Sequence, residues 1–581
     1  MRILLKKMGL KDWILAFVSI IFIFIQVWFD LSLPEYMSRI TLLVQNGFEI
    51  NAILRAGSLM LLFALGSLVA SCVTAVCVSG LAFSYGGNLR KALFHQVMSF
   101  SMEEAEKFSI ASLITRSTND ITQVQGMIVM GLQILVKAPI TAIGAIGKIS
   151  TSVWQWTMAT AIGAAIIVVV VVGCILLVVS KQKRVQILTD NVNRVTRENL
   201  TGISVIHAYN AESYAEAKFA RVNDKLTKTN LFVVQTMAFL SPIVQLIHNG
   251  MSLSIYWIGA ILISQAGVTE QAGLFASMLA FAQYAVQIVS AFVMLTMIFT
   301  MIPRALVSAR RINEVLDTKP VIVNGQFDTR TGEQIGMVEF SHVNFCYPGE
   351  NQPTISDITF RAEKGQTVAI IGATGSGKSS VINLIPRFYD VSSGEVLIDG
   401  VNVKEYTLET LRNKLGYCPQ QAQILSGSVR SNVGYGLSEQ SDEAISEAIC
   451  TAQADEFVLG MDGSYDADVA QGGTNLSGGQ KQRLSIARAL AKKPEILIFD
   501  DSFSALDYKT ERKLRENLKK NYDGITKLIV TQRIGTVRDA NLILVMDKGK
   551  IVGQGTHQEL LKSCEIYRQI AVSQNEMEAI A

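Results

Sequence analysis

Three stretches of the chain, Ala56–Leu89, Ile149–Ser180 and Gln271–Pro303, contain no Asp, Glu, Lys or Arg. A helix that crosses a bilayer needs about 20 apolar residues, and a helix buried in a soluble core rarely runs so far without a charge. Hydropathy extends the pattern to six spans, at 13–34, 56–80, 128–150, 155–178, 235–264 and 272–302. Between spans, segments 90–127 and 181–232 are amphiphilic at helical spacing and free of proline. Folded as two antiparallel helices, such a segment would reach roughly 35 Å from the membrane, a length suited to a lever. After Arg311 the pattern changes. Ile312–Gly325 reads as a linker, Met337 opens alternating strand-type sequence (Val338, Phe340, Val343, Phe345), and the rest mixes strands and helices. The expected fold is an α-helical membrane domain of six long transmembrane helices over 1–315, a linker over 316–335 and an α/β domain over 336–581.

Charge sets the orientation. Lys6, Lys7 and Lys11, Arg90 and Lys91, Lys181, Lys183 and Arg184, and Arg304, Arg310 and Arg311 fall on one side of the spans. The opposite loops hold only Arg39, Arg55 and Lys148, beside Asp30, Glu35, Glu49 and Glu270. The more positive side is cytoplasmic, which puts both termini and the α/β domain inside the cell in a multi-pass plasma-membrane protein. The N-terminal lysines before Trp13–Phe29 imitate a signal peptide, but no small-residue cleavage site follows, so this stretch reads as the first anchor. Of 581 residues, 49% are apolar and 17% charged, and a net charge of +3 gives no reason to invoke nucleic acid. Seven scattered cysteines without a Cys-x-x-Cys pair read as reduced packing residues.

Within the spans, Lys137 stands out, because an intramembrane cation is expensive; snorkelling to the cytoplasmic surface is its plainer explanation. The last two spans carry Gln245, His248, Asn249, Gln283 and Gln287 but no carboxylate, which argues against a proton relay. Met237, Met251, Met278, Met294, Met297 and Met301 either line an adaptable apolar cavity for a small hydrophobic substrate or pack between helices.

The α/β domain brings the chemistry. Apolar Thr367–Ile371 runs directly into Gly372-Ala-Thr-Gly-Ser-Gly-Lys378-Ser379, and a helix is expected from Ser379. A strand, a glycine loop and a helix in that order make a phosphate-binding loop. Gly372, Gly375 and Gly377 let backbone N–H groups converge on phosphates, with Thr374, Ser376 and Ser380 in the same ATP-binding stretch. Lys378 supplies charge at the β- and γ-phosphates, and the Ser379 hydroxyl is placed for Mg²⁺. Ile496–Asp500 reads as a buried strand ending in a carboxylate, where Asp500 holds Mg²⁺ through water. Tyr347 follows the first strand and is a candidate for stacking on adenine.

Leu476-Ser477-Gly478-Gly479-Gln480, followed by Lys-Gln-Arg-Leu-Ser-Ile-Ala-Arg-Ala-Leu, resembles the signature of ATP-binding-cassette ATPases. Gln420 in Tyr-Cys-Pro-Gln, which implies a Mg²⁺ and catalytic contact, and the segment Ser504-Ala505-Leu506-Asp507 match the same family at the same spacing. The membrane half is similar to the six-helix exporter type, with Leu113–Asp120 and Gly202–Glu212 resembling its intracellular coupling segments. The resemblance spans nearly the whole chain. It implies that the signature turn caps ATP held by an opposing cassette, so that two cassettes enclose two ATPs. It also exposes two departures. Asp501 stands where the family has a catalytic glutamate, and Gln532 where it has a switch histidine. Asp501 is one methylene short, and glutamine cannot become cationic. With the signature intact, the resemblance implies a degenerate-site subunit of a heterodimeric multidrug exporter, its partner a second homologous half-transporter. A self-sufficient homodimeric lipid or peptide exporter and a non-pumping nucleotide sensor remain alternatives.

Overall fold

The computed structural model describes residues 8–150, 153–328, 335–350, 352–437, 439 and 441–574. Lys6, Lys7 and positions 329–334 of the expected linker lie outside the described residues. The chain divides into two compact units, Met1–Met98 with Ser109–Thr318, and Ser99–Phe108 with Lys319–Ala581. The short segment Ser99–Phe108, expected as part of the membrane domain, therefore groups with the C-terminal unit.

The N-terminal half is helical throughout. Its elements are α1 (Leu10–Gln45), α2 (Ile50–Met98), α3 (Met102–Phe108), α4 (Ile110–Ser150), α5 (Trp154–Thr201), α6 (Ile203–Ala208), α7 (Glu212–Gln265) and α8 (Val268–Asp317). Six of them, among the described residues, are long and apolar enough to cross a membrane. Helices α2, α5 and α7 run on past the apolar stretches, so both amphiphilic segments are helical. Helix α5 stops at Gly202, whose N–H bonds the carbonyl of Glu198 at 2.9 Å, and Asn210 makes the next turn with φ of 49°. Asn tolerates that left-handed geometry better than most side chains.

The membrane core gathers Ile23, Val27, Trp156, Ile167, Ile255 and Phe281. Met251 and Met278 are buried there, and a Cβ on Gly163 or Gly259 would fall 2.8 or 2.2 Å from their sulfur atoms. These two methionines fill gaps left by glycines rather than line a cavity, as polarisable, unbranched side chains do well. Helix α4 contains two π-helical turns, Arg116–Asp120 and Gln133–Lys137. Lys137 has a partner that sequence spacing does not announce: its ammonium lies 3.6 Å from the carboxylate of Asp30 on α1.

In the C-terminal unit, β1 (Val338–Phe345), β2 (Ile355–Ala362), β4 (Ser393–Ile398) and β5 (Val401–Asn402) form an antiparallel sheet in the order β2-β1-β4-β5. A second sheet has the order β10-β9-β3-β8-β7-β6, built from β3 (Thr367–Gly372), β6 (Leu415–Cys418), β7 (Ile496–Asp500), β8 (Thr526–Thr531), β9 (Leu542–Asp547) and β10 (Lys550–Gly555). Strands β9, β3, β8, β7 and β6 run parallel. β7 and β8 are buried at every residue. Such continuous apolar strands are what a parallel sheet covered on both faces requires.

Candidate functional site

Ligand sites in open α/β sheets form beyond the carboxyl ends of the parallel strands. Here four of those ends carry the candidate residues. The glycine loop leaves β3, Gln532 follows β8, Asp500 ends β7 and Gln420 lies two residues past β6. Parallel register (Thr531 beside Ile371, Val530 beside Asp500, Cys418 beside Phe499) brings all four to one edge.

The loop depends on missing side chains at two points. A Cβ on Gly372 would sit 2.2 Å from the carbonyl oxygen of Met546. Gly377 has φ of +96°, and a Cβ there would meet Ile355 at 2.8 Å. Gly375 also lies in the left-handed region. Helix α9 (Lys378–Leu384) starts immediately afterwards. The Lys378 ammonium is buried and donates to the carbonyls of Gly372 and Ala373, at 2.9 and 2.7 Å, and more weakly to the Ser376 hydroxyl. Ser379 donates its hydroxyl hydrogen to Asp500 at 2.9 Å. Burial lowers the Lys378 pKa, opposed by the charges of Asp501 and Asp500. Burial also raises Asp500 above the ordinary carboxylate range, opposed first by the Ser379 hydrogen bond. Asp501 is raised in the same way, opposed by Lys378 and Arg533. Two adjacent acids and one lysine thus share a partly desolvated corner, a setting that favours bound charge of both signs.

Asp501 takes φ of 46°, and its N–H bonds the carbonyl of Val530 on β8. Gln532 is exposed and accepts a 3.5 Å hydrogen bond from the Thr374 hydroxyl on the glycine loop. Gln420 is exposed at the same strand edge. Tyr347 packs edge-on against Phe345 and Tyr389, with ring centroids 4.8 and 5.2 Å away, and its hydroxyl pairs with Ser380 at 3.0 Å. That bond ties the candidate adenine platform to the helix that follows the loop.

The Leu476–Gln480 turn opens α10 (Gly478–Ala491). Ser477 and Gln480 close a capping box: the Ser477 hydroxyl accepts from the Gln480 N–H at 3.3 Å, and the Gln480 carboxamide accepts from the Ser477 N–H at 2.8 Å. Leu476 is buried, Ser477 and Gly478 are exposed, and a Cβ on Gly479 would lie 3.3 Å from the carbonyl of Ala505. The helix therefore presents its positive end to solvent beside Ser504–Asp507. In that segment Leu506 is buried, the Ser504 hydroxyl donates to the Asp501 carbonyl at 2.8 Å, and Asp507 caps the following helix through the Thr510 N–H.

Sequence reading missed the contacts of four residues. Gln574, after α11 (Glu565–Ser573), donates to the Gln532 carbonyl at 2.6 Å and accepts from the Ile534 N–H at 2.8 Å. Arg533 bridges the Ser504 carbonyl, at 2.9 Å, to Glu511, at 3.2 Å. On α3, Glu106 accepts from the Tyr389 hydroxyl at 2.9 Å, and Glu104 accepts from the Val321 N–H at the same distance. No local motif announces any of them.

A phosphate-binding loop set against an acidic strand end, with a second exposed helix N-terminus, defines a P-loop ATPase, and here it is fused to six apolar spans. Residues 16–302 match the family described as ABC transporter transmembrane region, and residues 355–504 match the family described as ABC transporter. The chain belongs to the ABC transporters, as a half-transporter that joins an exporter-type membrane domain to its own ATPase domain. It is 38% identical over 495 residues to an uncharacterised ABC transporter ATP-binding protein of Mycobacterium tuberculosis, which covers 84% of each chain. It is 34% identical to one of Bacillus subtilis, over 97% of this chain and 96% of that one. An ATP-dependent lipid A-core flippase of Pseudomonas aeruginosa is 32% identical over 82% of this chain and 77% of its own length. The fold matches a bacterial Atm1-family ABC exporter with ATP bound, with a TM-score of 0.77 and 21% identity over 96% and 97% of the two chains.

Proposed function

We propose that this ATP-driven exporter subunit is the degenerate-site half of a heterodimer. The observation that carries the reading is the pair Asp501 and Gln532, set at the strand ends beside an otherwise complete loop, with an intact signature turn. Lys378 and the loop N–H groups bind the ATP phosphates, and Tyr347 stacks on the base. Ser379, Asp500 and Gln420 offer hard oxygen ligands at one strand edge, a donor set that suits Mg²⁺; the ion would offset phosphate charge there. Asp501 is too short to position the attacking water well, and Gln532 cannot take a proton. ATP therefore stays bound at this site and turns over slowly.

Ser477, Gly478 and Gly479 cap the γ-phosphate held by the partner half-transporter, whose own glutamate and histidine do the hydrolysis. ATP binding closes the two cassettes and opens the membrane domain outward; hydrolysis at the partner's site resets it. The cargo is a hydrophobic compound expelled across the plasma membrane, with both termini cytoplasmic. The test is ATPase activity of the full chain in lipid, alone and with a homologous half-transporter that carries Glu and His at these points. Near-zero turnover alone and full turnover in the pair is expected; brisk turnover alone would refute the asymmetric reading. The flippase relative favours a second reading, a homodimeric lipid exporter, which predicts that brisk activity.

A further inference from the structure

Among the described residues, Asp30 and Lys137 form an ion pair between the expected spans 13–34 and 128–150, at least one helical turn inside the Glu35–Lys148 pair on the same two helices. Three features meet at their level. Pro34 on α1 lacks the N–H that would bond the carbonyl of Asp30. Gln287 of α8 fills that acceptor through Nε2 at 3.0 Å, and the Tyr284 hydroxyl takes the next carbonyl, Leu31, also at 3.0 Å. Opposite, α4 widens into the π turn Gln133–Lys137, an irregularity that recurs at functional sites. One Asp30 oxygen accepts from the Ser67 hydroxyl on α2 at 2.5 Å, while the other faces Lys137 at 3.6 Å, too far for a hydrogen bond. The two charged side chains are 26% (Lys137) and 30% (Asp30) exposed, and Gln287 Oε1 is buried without a donor. Four helices thus hold a loose, accessible ion pair whose hydrogen-bonding capacity is only partly used.

We infer that Asp30 and Lys137 form a substrate-contact site for the head group of a zwitterionic amphiphile bearing an ammonium and a phosphate or carboxylate. Charge balance selects the class. A cationic ligand on Asp30 would strand the lysine, and an anionic ligand on Lys137 would strand the aspartate, each an uncompensated charge at membrane depth. A zwitterion satisfies both, its ammonium on Asp30 and its anion on Lys137, with no net charge brought into the bilayer. A neutral compound gains nothing from the pair. The inference rests on the export reading above and names the cargo class, but it does not depend on which ATP site is active.

The test uses the full chain in nanodiscs without nucleotide, so that binding is read independently of hydrolysis. The probes are lysophosphatidylethanolamine, lysophosphatidylglycerol, dodecylamine and dodecyl maltoside, followed by tryptophan quenching. The zwitterion is expected to bind about tenfold more tightly than the neutral probe. K137Q should lose that advantage and turn toward dodecylamine, and D30N should turn toward lysophosphatidylglycerol. D30L/K137L, which removes both charges and keeps an apolar packing, should abolish discrimination while the protein stays folded. Equal affinity for the zwitterionic and neutral probes in the unaltered chain would overturn the proposal. So would a D30L/K137L variant that keeps the zwitterion preference, the result expected of a purely structural latch. Brisk ATPase in the isolated chain with these preferences intact would refute the asymmetric-site reading alone.

Discussion

On the proposed asymmetric reading, replacing Asp501 with glutamate, together with Gln532→His, should turn a slow ATP site into a fast one. Glutamate adds one C–C bond, about 1.5 Å, and a misplacement of about 1 Å at a reacting centre costs around a hundredfold in rate. That factor corresponds to about 2.7 kcal/mol of barrier. Against it stands the backbone: Asp501 has φ of 46°, where Asp is tolerated better than Glu. A penalty of about 1 kcal/mol would return roughly fivefold of the gain. Gln532 already touches the loop through Thr374, so a histidine there is within reach of a terminal phosphate. The net expectation is a rise of roughly 20- to 100-fold in single-turnover phosphate release. The assay uses the full chain in nanodiscs, where each site in a self-assembled pair would meet a signature turn from the second copy. ATP binding is measured in parallel. A rise below about threefold with binding intact would show that side-chain length and protonation are not what limits this site.

Lys378→Ala removes the buried ammonium beside the loop, and a charge-assisted contact of that kind is worth about 1.5–3 kcal/mol. Affinity for a fluorescent ATP analogue should fall about tenfold or more; an unchanged affinity would count against the phosphate-binding role. Gln574→Ala breaks both hydrogen bonds across Gln532–Ile534, each worth about 0.5–1.5 kcal/mol net, and should raise hydrogen exchange at 532–537 without unfolding the domain. Unaltered protection there would mean the clamp is idle. Asp500 is raised by burial, so the folded state takes up a proton before the unfolded state as pH falls. This group penalises the nucleotide-free fold above its folded pKa, and the penalty fades as pH drops through that value toward the unfolded one. Asp500→Asn should accordingly raise the melting temperature at neutral pH, with little gain at pH 4, while weakening ATP binding in Mg²⁺. A lower melting temperature at neutral pH would contradict the burial argument.

Patterns carried by neighbouring residues were legible without coordinates. Charge-free runs announce spans because lipid excludes unpaired polar groups over a full helix length. The glycine loop and the Ser477–Gln480 turn are recognisable because their chemistry is held within a few residues of backbone. The proposed degenerate site rests on Asp501 and Gln532 in the same way, since side-chain identity is read directly from the chain. Other features depended on which distant surfaces meet. Lys137 gained its partner only when the bundle set Asp30 opposite it, and the carbonyl released by Pro34 found Gln287 only through helix packing. Gln574 reaches Gln532, and Ser99–Phe108 joins the C-terminal unit, across separations that no spacing rule encodes. Local sequence determines what each segment can offer; the free energy of burying and pairing those offers is settled only when the chain brings remote partners within bonding distance.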